Sequence, residues 1–185
     1  MITPPELERA ARVVREGGVI AYPTEAVFGL GCSPLIGQAV ERLIRIKGRS
    51  AAKGLILIAA GPEQLEPFIL PLPAHRREEI LSGWPGPTTW VLPARPDTPE
   101  RLTGGRPTLA VRVTAHPVAA ALCRACALPL VSTSANRSGL PPATTAREVR
   151  ERLGDLVDYV VAGACGPEKK PSTIRDGLSG TVLRA

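Results

Sequence analysis

The chain has 185 residues, 44% of them apolar and 22% charged, with a formal net charge of +6. That length supports one full hydrophobic core and is short for two, so a single domain spanning residues 1–185 is expected. No apolar run approaches the ~18 residues of a membrane span, and the opening "MITPPELERAARVV" lacks the charged-then-apolar layout of a signal peptide. A cytoplasmic protein without a membrane partner is the expectation. Aromatic residues make up only 3%, too few for a platform that stacks single-stranded bases, whereas the positive charge suits a nucleotide or folded RNA. The four cysteines, Cys32, Cys123, Cys126 and Cys165, do not form a disulfide framework. Cys123 and Cys126 make one C-x-x-C with no second pair, and the two histidines, His75 and His116, lie in other segments. A helix face explains the cysteine pair better than zinc or redox chemistry.

In chain order, Thr3, Pro4 and Pro5 followed by "ELERAARVVREGG" give a helix with a cap, a proline start and a glycine stop. Val19 to Tyr22 read as a short buried strand that Pro23 ends, and the spacing predicts a loop from Thr24 to Pro34. Gly29 and Gly31 in that loop serve either unusual backbone angles or a close approach. "IGQAVERLIRIKGR" is strongly helical, "GLILIAA" is a buried strand and "PEQLEPFI" is a short helix. "AHRREEILSG" reads as another helix, and "WPGPTTWVLPA" enters a strand through a proline turn. "TLAVRV" alternates as a strand, "HPVAAALCRACA" is a helix whose start gives His116 a capping or surface role, and "LPLVSTSAN" is a strand running into a polar loop. "TAREVRERLG" is helical, while "DYVVAG", "STIRD" and "TVLRA" are short strands. Interleaved strands and helices predict an α/β fold with a twisted, mixed, open sheet flanked by helices.

Three patterns carry chemistry. In the second helix Ile36, Val40, Leu43 and Ile44 form an apolar stripe that Lys47 continues, so its ammonium leans toward the sheet, unless it only complements the helix C-terminus. Gly48 then permits a turn and Arg49 adds a second cation, a pair suited to a polyphosphate or a carboxylate. Lys53 follows nearby, and the remaining two lysines, Lys169 and Lys170, fall in another predicted loop. In "STSANRSG", Ser132, Ser134 and Asn136 offer compact donors and acceptors at the end of a strand, where open α/β sheets bind ligands; a turn that caps the strand is the alternative. On the "TLAVRV" strand, Leu109, Val111 and Val113 share one face and Arg112 takes the other, as a solvated side chain or as a carboxylate clamp. Phosphate loops, dinucleotide fingerprints, nucleophile elbows and metal-ligand clusters are absent from the sequence. The residues alone support an α/β domain with an anion-binding cleft.

Taken together and in order, "YPTEAVFGLG", "KGR" leading into "KGLILIA", "WPGPTTWVLPA", "LAVRV", "PLVSTSANRSG" and "STIRD" resemble the YrdC-domain family in its short bacterial form, from about Val19 to Arg184. The resemblance implies a twisted α/β sheet with a large, basic, concave cleft. It implies an enzyme that joins L-threonine, bicarbonate and ATP, with Mg²⁺, into L-threonylcarbamoyl-AMP and pyrophosphate. A transferase complex would then modify adenosine 37 of tRNAs that read codons beginning with A. By matching, Lys47 and Arg49 are the catalytic cations, and with Ser134 and Asn136 they line the nucleotide cavity. Thr24, Arg112 and Ser132 would contact threonine, while Thr108, Ser172 and Arg184 would contact substrate or nucleotide. Two positions depart from the family pattern: Ser50 replaces a proline and would loosen its loop, and Phe28 replaces a frequent tyrosine. The rival reading is a non-catalytic protein that binds tRNA or double-stranded RNA in RNA or ribosome maturation. A hydrogenase-maturation role would require further modules that the chain has no room for.

Overall fold

The computed structural model describes residues 2–168 and 171–185, which leaves Met1, Lys169 and Lys170 outside the description. The first helix, α1 (Pro4–Arg15), starts as its sequence dictates. Thr3 Oγ1 accepts from the Glu6 amide at 3.4 Å, and the Glu6 carboxylate accepts from the Thr3 amide at 3.0 Å, so two donors that a helix start leaves unpaired are satisfied.

The chain then forms β1 (Ile20–Pro23) and β2 (Phe28–Cys32), an antiparallel pair with Pro23 opposite Phe28 and a tight turn at Thr24–Val27. The expected loop from Thr24 to Pro34 is thereby corrected, because Phe28–Cys32 is an interior strand. Its two glycines, poor strand formers on propensity, concealed it. Neither glycine takes a positive φ. A Cβ on Gly31 would lie 2.7 Å from Tyr22 Cε1 and 2.8 Å from the Val131 carbonyl oxygen, so close packing under the Tyr22 ring is what requires glycine there.

After these come α2 (Gly37–Lys47), β3 (Ile56–Ala59), α3 (Arg77–Ser82), β4 (Thr88–Pro93), α4 (Glu100–Thr103), β5 (Thr108–Val113) and α5 (Pro117–Cys126). They are followed by β6 (Leu130–Ser134), α6 (Ala146–Leu153), β7 (Tyr159–Val160), β8 (Thr173–Asp176) and β9 (Val182–Arg184). "PEQLEPFI" is not a helix: only Pro62–Gln64 make a 3-10 turn. Leu65, Phe68 and Ile69 beyond it are buried without helical continuation. The strands form one mixed sheet in the order β7-β1-β2-β6-β3-β5-β4-β8-β9. The pairs β1–β7, β3–β5 and β4–β8 are parallel and the others antiparallel.

Alternation along the strands sorts side chains onto two faces. On one, Leu30, Leu57, Val111 and Val131 pack beneath α2, α3 and α6 through Val40, Leu43, Ile80 and Val149. On the other, Ile20, Tyr22, Ile58 and Leu130 meet α1 and α5 through Ala11, Val14, Ala119 and Leu122. Cys123 and Cys126 lie buried on this face of α5, which agrees with the helix-face reading. The cover supplied by α1 and α5 stops short. On the same face Gly29, Arg112, Ser132 and Ser134 line an open cavity instead of a core.

Candidate active site

The first cavity, of about 400 Å³, lies over β2, β6, β3 and β5 where no helix covers them, and is bordered by the Thr24–Val27 turn. Its wall includes seven of the ten residues that the sequence named as catalytic or binding: Thr24, Arg49, Arg112, Ser132, Ser134, Ser172 and Arg184. Thr108 lines a neighbouring cavity of about 640 Å³ with Lys53 and Arg106, and Arg49 and Arg184 border both spaces. The two hollows therefore meet at a pair of guanidinium groups.

Lys47 and Asn136 stand behind the wall rather than on it. Lys47 is 4% exposed, and its Nζ donates to the Ser134 carbonyl at 2.7 Å, the Asn136 carbonyl at 2.7 Å and Asn136 Oδ1 at 2.6 Å, with Ser134 Oγ at 3.3 Å. The ammonium leans toward the sheet, as its place on the α2 stripe predicts, and organises the loop after β6. The Ser138 amide closes the same junction on the Lys47 carbonyl at 2.8 Å. Burial, reinforced by nearby Arg49, pulls the lysine pKa down to about 8. Arg49 continues past Gly48, which caps α2 at φ +60°, and its Nη2 donates to the Gly54 carbonyl. Ser50 does not leave its loop untied. Its hydroxyl accepts from the Ala52 amide at 3.3 Å and caps the turn Ala51–Lys53. Phe28 is wholly buried in the core.

Arg112 resolves its two sequence readings: it is 8% exposed and faces the cavity, so it is no solvated strand residue. Its Nη1 lies 2.9 Å from Glu25 Oε2. Glu25 Oε1 in turn accepts from Thr114 Oγ1 at 2.6 Å and from the Ala115 amide at 3.0 Å. Burial pushes the Glu25 carboxyl upward, yet Arg112 and these donors outweigh it and hold the pKa below the usual carboxylate value. Sequence reasoning gave Glu25 no role. Its partners, Arg112 and Thr114, lie far along the chain, where no local periodicity links them to it. Thr24 Oγ1 donates to the Val27 carbonyl at 2.7 Å, and Tyr22 Oη donates to Ser132 Oγ at 2.9 Å.

His116 is corrected from a capping or surface role. It occupies the N-cap position of α5, but its side chain caps nothing and is 6% exposed, with Nε2 placed 3.1 Å from the Ala164 carbonyl. Ala164 belongs to the segment between β7, at one end of the sheet order, and β8, next to last at the other. That segment is pinned over the β1–β2 turn: the Gly166 amide donates to the Thr24 carbonyl at 3.0 Å and the Glu168 amide to the Glu25 carbonyl at 3.1 Å. Its far end is held by Ser172, whose Oγ lies 2.8 Å from Thr89 Oγ1 and whose carbonyl accepts from Arg184 Nη2 at 2.8 Å. Among the described residues no three His, Cys, Asp or Glu side chains gather as a metal site. Nor is any described helix long and apolar enough to cross a membrane.

A family model for the Sua5/YciO/YrdC domain, described as telomere recombination, matches residues 12–185. The chain is 57% identical to the threonylcarbamoyl-AMP synthase of Nitrosococcus oceani over 175 residues, covering 95% of each chain. It is 55% identical to the enzyme of the same name from Halorhodospira halophila over 181 residues, covering 98% of this chain and 95% of the other. Among solved structures, P. abyssi Sua5 complexed with L-threonine superimposes with a TM-score of 0.87 at 38% identity. The match takes in 92% of this chain and 50% of Sua5, so this chain spans about half the length of that relative. With the family model and the relatives running through nearly its whole length, the chain belongs to the Sua5/YciO/YrdC family.

Proposed function

We infer that this chain is a threonylcarbamoyl-AMP synthase, an ATP-using transferase acting in threonylcarbamoyladenosine formation. The observation that carries the reading is the meeting of two cavities at Arg49 and Arg184. One has a buried, inward-facing guanidinium beside small hydroxyl groups; the other has further cations, Lys53 and Arg106, on its wall. A small amino acid fits the first, its carboxylate on Arg112 and its polar groups near Thr24 and Ser132. A triphosphate fits the second, its charge against Arg49 and Arg184 and a further contact from Thr108, while Ser134 and Ser172 reach it from the first.

The reaction then needs no protein nucleophile. The threonine amine combines with bicarbonate to give a carbamate and water. A carbamate oxygen attacks the α-phosphorus of ATP, the bond from that phosphorus to the bridging oxygen breaks, and pyrophosphate leaves. Catalysis of this kind rests on positioning and on cations set against developing charge. Arg49 supplies charge at the junction where the two substrates meet. Lys47 acts one step back, fixing the Ser134–Asn136 loop that forms part of the wall. The described carboxylates near the cavities do not cluster, so Mg²⁺ comes as the counterion of the ATP phosphates and not in a protein cage. The product passes to a transferase complex that modifies tRNA.

The test is labelling. With ¹³C-bicarbonate, L-threonine and ATP, mass spectrometry should find a short-lived adduct of threonine, labelled carbonyl and AMP. Tight, salt-sensitive RNA binding without any labelled adduct would favour the RNA-binding reading instead.

A further inference from the structure

Arg112 is held at Nη1 alone, by a charge contact with Glu25 Oε2 at 2.9 Å that lacks hydrogen-bond geometry. Glu25 is its one ion-pair partner among the described residues, and both side chains are only 10% exposed. A guanidinium presents donors along two edges, and a bidentate partner needs one whole edge in a fixed plane. We propose that Glu25 is a positioning residue: its charge anchors the Nη1 end of the Arg112 guanidinium so that the remaining donors stand ready in the cavity for a substrate carboxylate. The proposal deepens the synthase reading and rests on it for the identity of that carboxylate.

Three features fit Glu25 to this task. First, its own carboxylate cannot wander. Thr114 Oγ1 and the Ala115 amide fix Oε1, and Thr114 Oγ1 is itself oriented by the His116 amide at 3.2 Å. Second, its backbone is held from the opposite side. The Glu168 amide donates to its carbonyl and the Gly166 amide to that of Thr24. A Cβ on Gly166 would sit 2.8 Å from the Glu25 carbonyl oxygen, so glycine is what lets that strand of backbone approach so closely. Third, a buried cation with no neighbouring anion would bear the full desolvation cost in the empty enzyme. Glu25 offsets that cost without occupying the remaining donors. A substrate carboxylate thus meets a guanidinium already aimed, and a displacement of about 1 Å in such a group can cost about a hundredfold in rate.

Glu25→Gln tests this, because the amide can still accept from Thr114 and Ala115 while the ion pair is removed. In ¹⁵N-labelled full-length protein, the Arg112 Nη1–Hη signal, assigned by its loss in Arg112→Lys, should be visible and protected in the wild type and absent in Glu25→Gln. In pyrophosphate-release assays the variant should raise KM for threonine at least tenfold and leave KM for ATP within twofold. Thr114→Val, which keeps the carboxylate but removes its brace, should raise the threonine KM by a smaller factor and covers the case that Glu25→Gln does not fold. An Arg112 signal absent from the wild type, or equally protected in both proteins, would overturn the proposal, as would parallel rises in both KM values. Loss of the signal in Glu25→Gln with no pyrophosphate release from any of the proteins would leave the positioning role standing and sink the synthase reading.

Discussion

Lys47 shows how a side chain can matter to a site it does not line. Three ammonium hydrogens serve four loop oxygens within 3.3 Å. Lys47→Ala is expected to slow turnover by roughly a hundredfold through displacement of the Ser134–Asn136 loop. Near-normal turnover with a normal ATP requirement would contradict that role. Thr24→Val loses a hydroxyl on the cavity wall and should raise the threonine requirement more than the ATP requirement; equal effects in steady-state kinetics would count against a threonine contact. Glu25 also sets a pH dependence with a definite sign. Its folded pKa is depressed, so it contributes stability above its unfolded value of about 4.5, and that contribution fades as pH falls through the folded value. The stability difference between wild type and Glu25→Gln, measured by urea unfolding, should therefore be constant near neutrality and shrink below about pH 4.5. The pair itself was out of reach of sequence reading. Arg112 stands out on its own strand, but Glu25 does not in its segment, and only the sheet brings them together.

Among the elements, those with punctuation were legible and those without were not. Thr3 with Glu6 marked α1, and Thr145, whose hydroxyl accepts from the Glu148 amide, marked α6. The alternation of "TLAVRV" is enough by itself to separate Arg112 from the core face of its strand. By contrast β2 carries glycine at two of its five positions, and packing against the Tyr22 ring outweighs local propensity there. The four residues of α4 are too few for a helical period to show, and in "PEQLEPFI" burial without a helix imitates helical spacing. Gly31→Ala tests the account of β2. With a backbone oxygen at 2.8 Å and a buried ring at 2.7 Å, neither able to swing away cheaply, the substitution should destabilise the fold by about 1–3 kcal/mol in urea titrations. A change within ~0.5 kcal/mol would show that the ring accommodates it.

Across the whole molecule, function follows from incomplete cover. Among the described residues a nine-stranded sheet buries one face beneath α2, α3 and α6, while α1 and α5 cover only part of the other. Small and polar side chains take over where that cover ends, and the segment joining β7 to β8 is pinned along the border. The candidate residues come from most of the length of the chain, between Thr24 and Arg184, and the sheet order gathers them. The motifs made their identities legible, but only the topology shows which of them share a wall and which stand behind it. The central claim is tested most directly by pyrophosphate release from purified protein with Mg²⁺, with ATP, L-threonine and bicarbonate each supplied or omitted. Release that requires all three is expected. Release indifferent to threonine, or none from well-folded protein supplied with all three, would contradict the synthase assignment.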